Sequence, residues 1–167
     1  MLEKLILYET LATWRKGYSG KLVVTNGCFD ILHTGHVAYL ESAAGFGDSL
    51  LVGINDNASV RALKGLNRPI NDERDRATVI AGLGCVSFVC IFGPSAGGFL
   101  SAAKPNIYVK GGDYSLETIN REERLTLEAA GAQIRFIPLI LGRSTSRIIA
   151  LDKKASMCPS TSWTSFP

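Results

Sequence analysis

His33 and His36 are the only histidines in a chain of 167 residues, and they bracket Thr34-Gly35. They follow Asn26-Gly27-Cys28-Phe29-Asp30-Ile31-Leu32, which is itself preceded by the apolar run Leu22-Val23-Val24. The run reads as a buried strand and the residues from Val37 to Phe46 as a helix, so the two histidines occupy the join between a strand end and a helix start. Helix N-termini carry unbonded N–H groups and a positive partial charge, which suits phosphate. Gly35 lets the backbone come close to a ligand, and two imidazoles three residues apart add donors facing the same side. A zinc pair or a capping histidine is the competing reading. Zinc needs further ligands, and the chain supplies no other histidine.

Three further segments have residue types suited to a phosphate ligand. Lys64-Gly65 with Arg68-Pro69 offers a point charge and a planar fork on a loop able to close over phosphates; a solvated surface loop is the plainer alternative. Lys110-Gly111-Gly112-Asp113-Tyr114 follows an apolar strand, and its glycines permit either close ligand approach or a tight turn. Ser144-Thr145-Ser146 opens a last helix with three hydroxyls, more than simple N-capping uses. Asp30 and Asp56 stand at strand ends, with Asp30 expected to organise the histidine loop.

The elements that must position these residues alternate regularly. Strands are expected at Leu22–Thr25, Leu50–Ile54, Val86–Phe92, Ile107–Val109 and Gln133–Pro138. Helices are expected at Gly35–Phe46, Asp72–Gly84, Ser95–Ala103, Arg121–Ala130 and from near Ser144. The alternation implies an α/β fold, a Rossmann-like open parallel five-stranded sheet with helices on both faces and right-handed crossovers. Gln133 and Arg135 alternate with Ile134 and Phe136, as on a half-exposed edge strand. Ligands of such sheets bind beyond the carboxyl ends of the strands, where strand order reverses. The histidine, Lys110 and Ser144 segments all fall on that rim. Neither G-x-G-x-x-G after the first strand nor G-x-x-x-x-G-K-[ST] occurs, which argues against a dinucleotide enzyme and a P-loop NTPase.

Composition narrows the partners. A hydrophobic share of 46% with 20% charged residues is that of a globular domain. Net charge of +3 is too mild to argue for nucleic acid. Cys28, Cys85, Cys90 and Cys158 lack metal-ligand or C-x-x-C spacing and read as reduced thiols of a cytoplasmic protein. No apolar run nears the roughly 20 residues of a membrane span, and Glu3, Lys4 and Glu9 argue against a signal peptide. Residues 1–20 are expected to form an amphipathic helix on the domain, 21–154 the domain itself, and 155–167 a disordered Ser/Thr/Pro tail. A homodimer is expected, through Leu5, Ile6, Leu7 and Leu11 or through Val86–Phe92 with Phe99 and Leu100.

The run from Asn26 to His36, then Leu63-Lys64-Gly65-Leu66-Asn67-Arg68-Pro69, Val109 to Tyr114 and Ser144-Thr145-Ser146, taken in that order, resemble the HIGH-motif nucleotidyltransferases of the cytidylyltransferase-like superfamily. Within it they are most similar to the adenylyltransferase domains acting on D-glycero-β-D-manno-heptose 1-phosphate. The resemblance covers roughly Lys21 to Ala150 and implies transfer of AMP from ATP to a sugar 1-phosphate, with Mg2+ carried mainly on the triphosphate. It implies catalytic roles for His33, His36 and Lys64. It also implies nucleotide or phosphate contacts from Asn26, Gly27, Cys28, Phe29, Asp30, Gly35 and Arg68, and from Lys110, Gly111, Gly112, Asp113, Ser144, Thr145 and Ser146. Cytidylyltransferases for glycerol phosphate carry Arg-Thr-x-Gly before the Ser-Thr motif. Here Pro138 is followed by Leu139-Ile140-Leu141-Gly142, which weighs against CTP. The alternatives are another sugar- or alcohol-phosphate nucleotidyltransferase using ATP or CTP, and a non-catalytic nucleotide-binding protein.

Overall fold

The computed structural model describes residues 2–112, 114–138 and 149. Five parallel strands, β1 (Leu22–Gly27), β2 (Ser49–Asn55), β3 (Phe88–Phe92), β4 (Ile107–Gly111) and β5 (Gln133–Ile137), form one sheet in the order β3-β2-β1-β4-β5. The helices are α1 (Tyr8–Gly17), α2 (Thr34–Ala44), α3 (Asn57–Lys64), α4 (Glu73–Ala81), α5 (Ala96–Ala103) and α6 (Arg121–Ala129). The inner strands β1 and β2 are buried on both faces, which is why they are apolar without alternation. Val23, Leu50, Val52 and Ile54 join Leu40 of α2 and Ile80 of α4 on one side. Leu22, Val24 and Leu51 join Leu11 of α1, Phe99 of α5 and Leu127 of α6 on the other. Gly53 is required here, because a Cβ would lie 2.6 Å from the Phe99 ring. The edge strand β5 shows the expected half-exposed pattern.

Three expectations need correction. The first eighteen residues are not one helix. A 3-10 turn at Leu2–Lys4 leads into an extended stretch where Leu5 bridges Val89 and the Ile6 N–H donates to Val89 O, before α1 begins at Tyr8. The free edge of β3 offers backbone partners that outweigh helical propensity over these residues. Helix α3 was not expected; Asp56 caps it by accepting from the Ser59 N–H at 2.7 Å. Most of the proposed dimer surface is core: Ile6, Leu11, Val86, Val89, Phe92, Phe99 and Leu100 are buried, whereas Leu5 and Leu7 stay exposed. Apart from Ile149, which is helical, the helix expected from Ser144 and the tail 155–167 lie outside the described residues. No described helix is long and apolar enough to cross a membrane.

The sheet splits where its order reverses. β1 pairs with β2 as far as Gly27–Ile54, but with β4 only at Val23–Ile107 and Val24–Tyr108. Beyond Val24 a crevice opens between β1 and β4, the position at which open α/β sheets take ligands. Tyr39 of α2 braces it below the mouth, its hydroxyl 2.7 Å from Thr25 Oγ1 and donating to Val109 O at 2.9 Å.

Candidate active site

His33 is the N-cap residue of α2, in extended conformation, and makes no side-chain capping bond. Among the described residues, of the first three N–H groups only that of His36 is bonded, to His33 O at 2.9 Å. Such a helix end offers N–H donors and its dipole to an anion. The two imidazoles stack above it with centroids 3.8 Å apart and planes 23° off parallel. Burial, and then the neighbouring His33, push the His36 pKa down to about 4. His36 is thus neutral near pH 7, and its buried Nδ1 has no hydrogen-bond partner among the described residues.

The loop before the helix is held in a strained shape. Phe29 has φ of +44°, a left-handed conformation that costs a bulky residue on the order of 1–3 kcal/mol and persists only when its surroundings dictate it. They do so in three ways. The Phe29 ring lies over Gly27, where a Cβ would stand 3.1 Å from it, and beside His36 at 5.3 Å between centroids. Asp30, buried, accepts from the N–H groups of Ile70 and Asn71 at 2.8 and 3.1 Å and from Arg68, whose Nε and Nη2 both meet Oδ2 at 2.5 Å. Arg76 of α4, also buried, donates to Cys28 O at 2.6 Å, to Asn71 O at 3.0 Å and to Asn57 Oδ1 at 3.0 Å.

These contacts bear on two expected ligand residues. Asp30 organises the histidine loop as expected, with its oxygens engaged inside the protein rather than free for a ligand. Arg68, expected at phosphate, is folded back on Asp30, because a charge-assisted bond to a buried carboxylate outweighs a solvated guanidinium. Lys64 ends α3 with its side chain exposed. Its charge still reaches the Cys28 thiol, whose pKa burial raises while Lys64, Arg76 and Arg68 pull it down. A cavity of about 170 Å³ behind Phe29, against Val79 and Ile80 of α4, is lined by the carboxylates of Asp30 and Asp75 beside Asn71 and Arg76, and two carboxylates there do not suit a phosphate.

Across the crevice, Lys110 lies within β4 and its ammonium does not stand alone. It donates to Asn26 Oδ1 at 3.1 Å and pairs with Glu123 of α6 at 3.4 Å. Tyr108 completes the group, 2.5 Å from Asn26 Oδ1 and 3.0 Å from Glu123 Oε2. Burial, then Glu123, raise the Tyr108 pKa well above its usual value, so the phenol keeps its proton. Gly111 ends β4 and Gly112 turns away from it. Asp113, Ser144, Thr145 and Ser146 lie outside the described residues, as does Leu139.

The structure therefore brings Asn26, Gly27, Cys28, Phe29, Gly35, His33, His36 and Lys64 toward one rim and turns Asp30, Arg68 and Lys110 inward. Sequence reading missed Arg76, Asn57, Asn71, Tyr108 and Glu123. Arg76 had a signal: it sits four residues before Ile80 and next to Ala77, a charge on the buried face of α4. Glu123 had a misleading one. At the third position after the Asn120 cap it reads as half of a capping box, whereas its carboxylate turns to Lys110.

The cytidylyltransferase-like family model matches residues 24–151, and the chain belongs to that family of nucleotidyltransferases. Among curated relatives, the bifunctional protein HldE of Citrifermentans bemidjiense is 48% identical over 130 residues, which span 77% of this chain and 26% of that protein. The HldE protein of Koribacter versatilis is 42% identical over 144 residues, 86% of this chain and 29% of its own length. The chain thus spans under a third of these relatives. Among solved structures, a lipopolysaccharide core biosynthesis protein from Thermoplasma volcanium superposes with a TM-score of 0.60 at 26% identity, covering 73% of this chain and 98% of that one. A pantoate-beta-alanine ligase from Francisella tularensis, at 13% identity and a TM-score of 0.56 over 97% of this chain and 82% of that one, shares the fold.

Proposed function

We propose that the protein transfers AMP from ATP to the phosphate of D-glycero-β-D-manno-heptose 1-phosphate, releasing pyrophosphate and giving ADP-heptose. The observation that carries this reading is the stacked His33–His36 pair on an uncapped helix end beside the β1/β4 crevice. The match to HldE proteins and to a lipopolysaccharide core biosynthesis protein supports the sugar acceptor. A phosphate oxygen of the acceptor attacks the α-phosphorus in line, and the bond to the pyrophosphate oxygen breaks. The acceptor phosphate is ionised at neutral pH and needs no base, so the protein's work is alignment and stabilisation of developing charge. The α2 N–H groups and His33 hold phosphate, His36 meets the charge gathering on pyrophosphate, and Lys64 approaches from the end of α3.

Among the described residues no cluster of three or more His, Cys, Asp or Glu side chains could hold a metal ion. Mg2+ suits this arrangement, since it is readily carried by phosphate oxygens and water; when bound, it neutralises phosphate charge. We place the reaction in the cytoplasm, where ATP is supplied, and infer a homodimer built partly on Leu5 and Leu7; light scattering at 18.0 kDa would refute that assembly. The test of function is pyrophosphate release from a panel of sugar and alcohol phosphates with ATP and with CTP. ATP with the heptose phosphate is expected to give the highest kcat/KM. Equal or better turnover with CTP, or a covalent nucleotidyl-enzyme formed from ATP alone, would overturn the scheme.

A further inference from the structure

Asn26 stands where the crevice opens, two residues past the last β1–β4 pair. Its carboxamide has one oxygen and one NH₂, and their order is set by chemistry. Lys110 carries an ammonium, which only donates, so the atom 3.1 Å from it must be Oδ1. Tyr108 remains a phenol and meets the same oxygen at 2.5 Å. Lys110 and Tyr108 thus hold Oδ1 inward; the single Tyr108 proton lies on the shorter contact, and Glu123, 3.0 Å from that hydroxyl oxygen and 3.4 Å from the Lys110 ammonium, steadies the group through Lys110. Nδ2 is left facing away from this group, with no hydrogen bond among the described residues, on a half-buried side chain at the rim.

We infer that Tyr108, Lys110 and Glu123 form a positioning group that fixes the Asn26 carboxamide so that Nδ2 donates to a phosphate oxygen in the β1/β4 crevice. The inference rests on the phosphate-transfer reading of the same site. It gives Lys110 an internal role. With Glu123 beside it, its charge is largely neutralised, and the crevice receives a neutral, directed donor. Such a donor binds phosphate without the side-chain ordering that a long cation requires. The phosphate is that of the nucleotide or that of the acceptor, and the two are separable by experiment.

Asn26→Asp is the discriminating variant. It keeps an oxygen facing Tyr108 and Lys110, so the inward contacts persist, but it replaces the outward donor with an acceptor that repels phosphate. Calorimetric titration with ATP and Mg2+, and steady-state KM for ATP and for the heptose phosphate, are measured together with Tm. The expected result is a Tm close to that of the parent and a loss of more than ~30-fold in affinity for one substrate, since a charge-assisted bond is replaced by repulsion. Loss for ATP identifies the nucleotide's phosphate, and loss for the sugar phosphate the acceptor's. Tyr108→Phe removes one of the two inward donors and is expected to raise the same KM about 3- to 10-fold with kcat within twofold. Its effect should vanish in the Asn26→Asp background, because it acts through Asn26. Asn26→Asp with both affinities unchanged would overturn the inference, as would effects of the two substitutions that simply multiply. Should Asn26→Asp fail to fold, the Tyr108→Phe split between KM and kcat decides alone, a change in kcat only going against it. A parent protein that binds no ATP overturns the nucleotide reading itself, and this inference with it.

Discussion

The motif loop from Cys28 to His33 and the segment from Leu63 to Asn67 both reach the phosphate rim, yet they are held very differently. The motif loop is tied by Asp30 to Ile70, Asn71 and Arg68 and by Arg76 to α3 and α4, and it carries a strained Phe29 that nothing weaker would hold. The other segment leaves Leu66 90% and Leu63 65% exposed, and Lys64 extends from the last turn of a helix that ends at Gly65 with φ of +97°. In the proposed reaction the histidines are in place before substrate arrives, because a preorganised donor stabilises charge without reorganising during the reaction. A cation that closes over bound phosphate must instead be free to arrive late. Rigidity in one segment and exposure in the other fit the different roles proposed for them.

Arg76→Met is the strongest way to break the contrast. It leaves Cys28 O, Asn71 O and Asn57 Oδ1 without their donor, and each orphaned buried acceptor costs about 1–3 kcal/mol. Denaturant unfolding is expected to show a loss of about 3–5 kcal/mol, within the range of a broken buried network, with a loosened motif loop. A loss under 1 kcal/mol would mean that the loop holds its shape by itself.

His36→Ala leaves the framework intact and removes one donor. Turnover is expected to fall roughly 10²–10³-fold, more than ATP affinity does, as measured by kcat against Kd. Lys64→Ala should reduce kcat roughly 10²-fold at most while leaving the unfolding midpoint unchanged. A drop in stability there would show that the segment is part of the frame.

His36 also titrates. His36 has a folded pKa of about 4 against an ordinary 6.5, so the unfolded chain binds more protons between those values. Its contribution to stability is present above pH 6.5 and is lost as pH falls through about 4. His36→Asn should flatten that part of the stability profile. A triphosphate beside the ring favours the imidazolium, so ATP binding should take up a proton and tighten as pH falls from 7 toward 5. Calorimetry in buffers of different ionisation enthalpy reads that uptake, and His36→Asn should diminish it. The smallest effect is expected from Leu66→Ser. With its side chain in solvent, stability should change by no more than about 0.5 kcal/mol, and any fall in kcat would mark this leucine as part of the closing segment.

Much of this architecture was legible before folding was considered. Strands buried on both faces announce themselves as apolar runs, the helices between them as 3.6-residue patterns, and strand–motif–helix order placed His33 and His36 on the rim. These are local properties, carried by residues close in sequence. The N-terminal stretch and α3 escaped this reading because their states depend on neighbours. Leu5 and Ile6 are extended only since β3 has a free edge. α3 starts at Asn57, whose N–H is held by Glu73 and whose side chain is held by Asp72 and Arg76, all from the segment of α4.

At the site the division is sharper. Residue types and spacing determined that two imidazoles would stand at a helix end, because the dipole, the glycine and the rings travel together in one segment. Tertiary structure alone decided which charged residues stay exposed at the rim and which face one another. Arg68 turns to Asp30 across 38 residues of chain, and Lys110 to Glu123 and Asn26 across 13 and 84. A charge leaving water takes whatever partner the fold brings within hydrogen-bond distance, and no pattern along the chain encodes that partner.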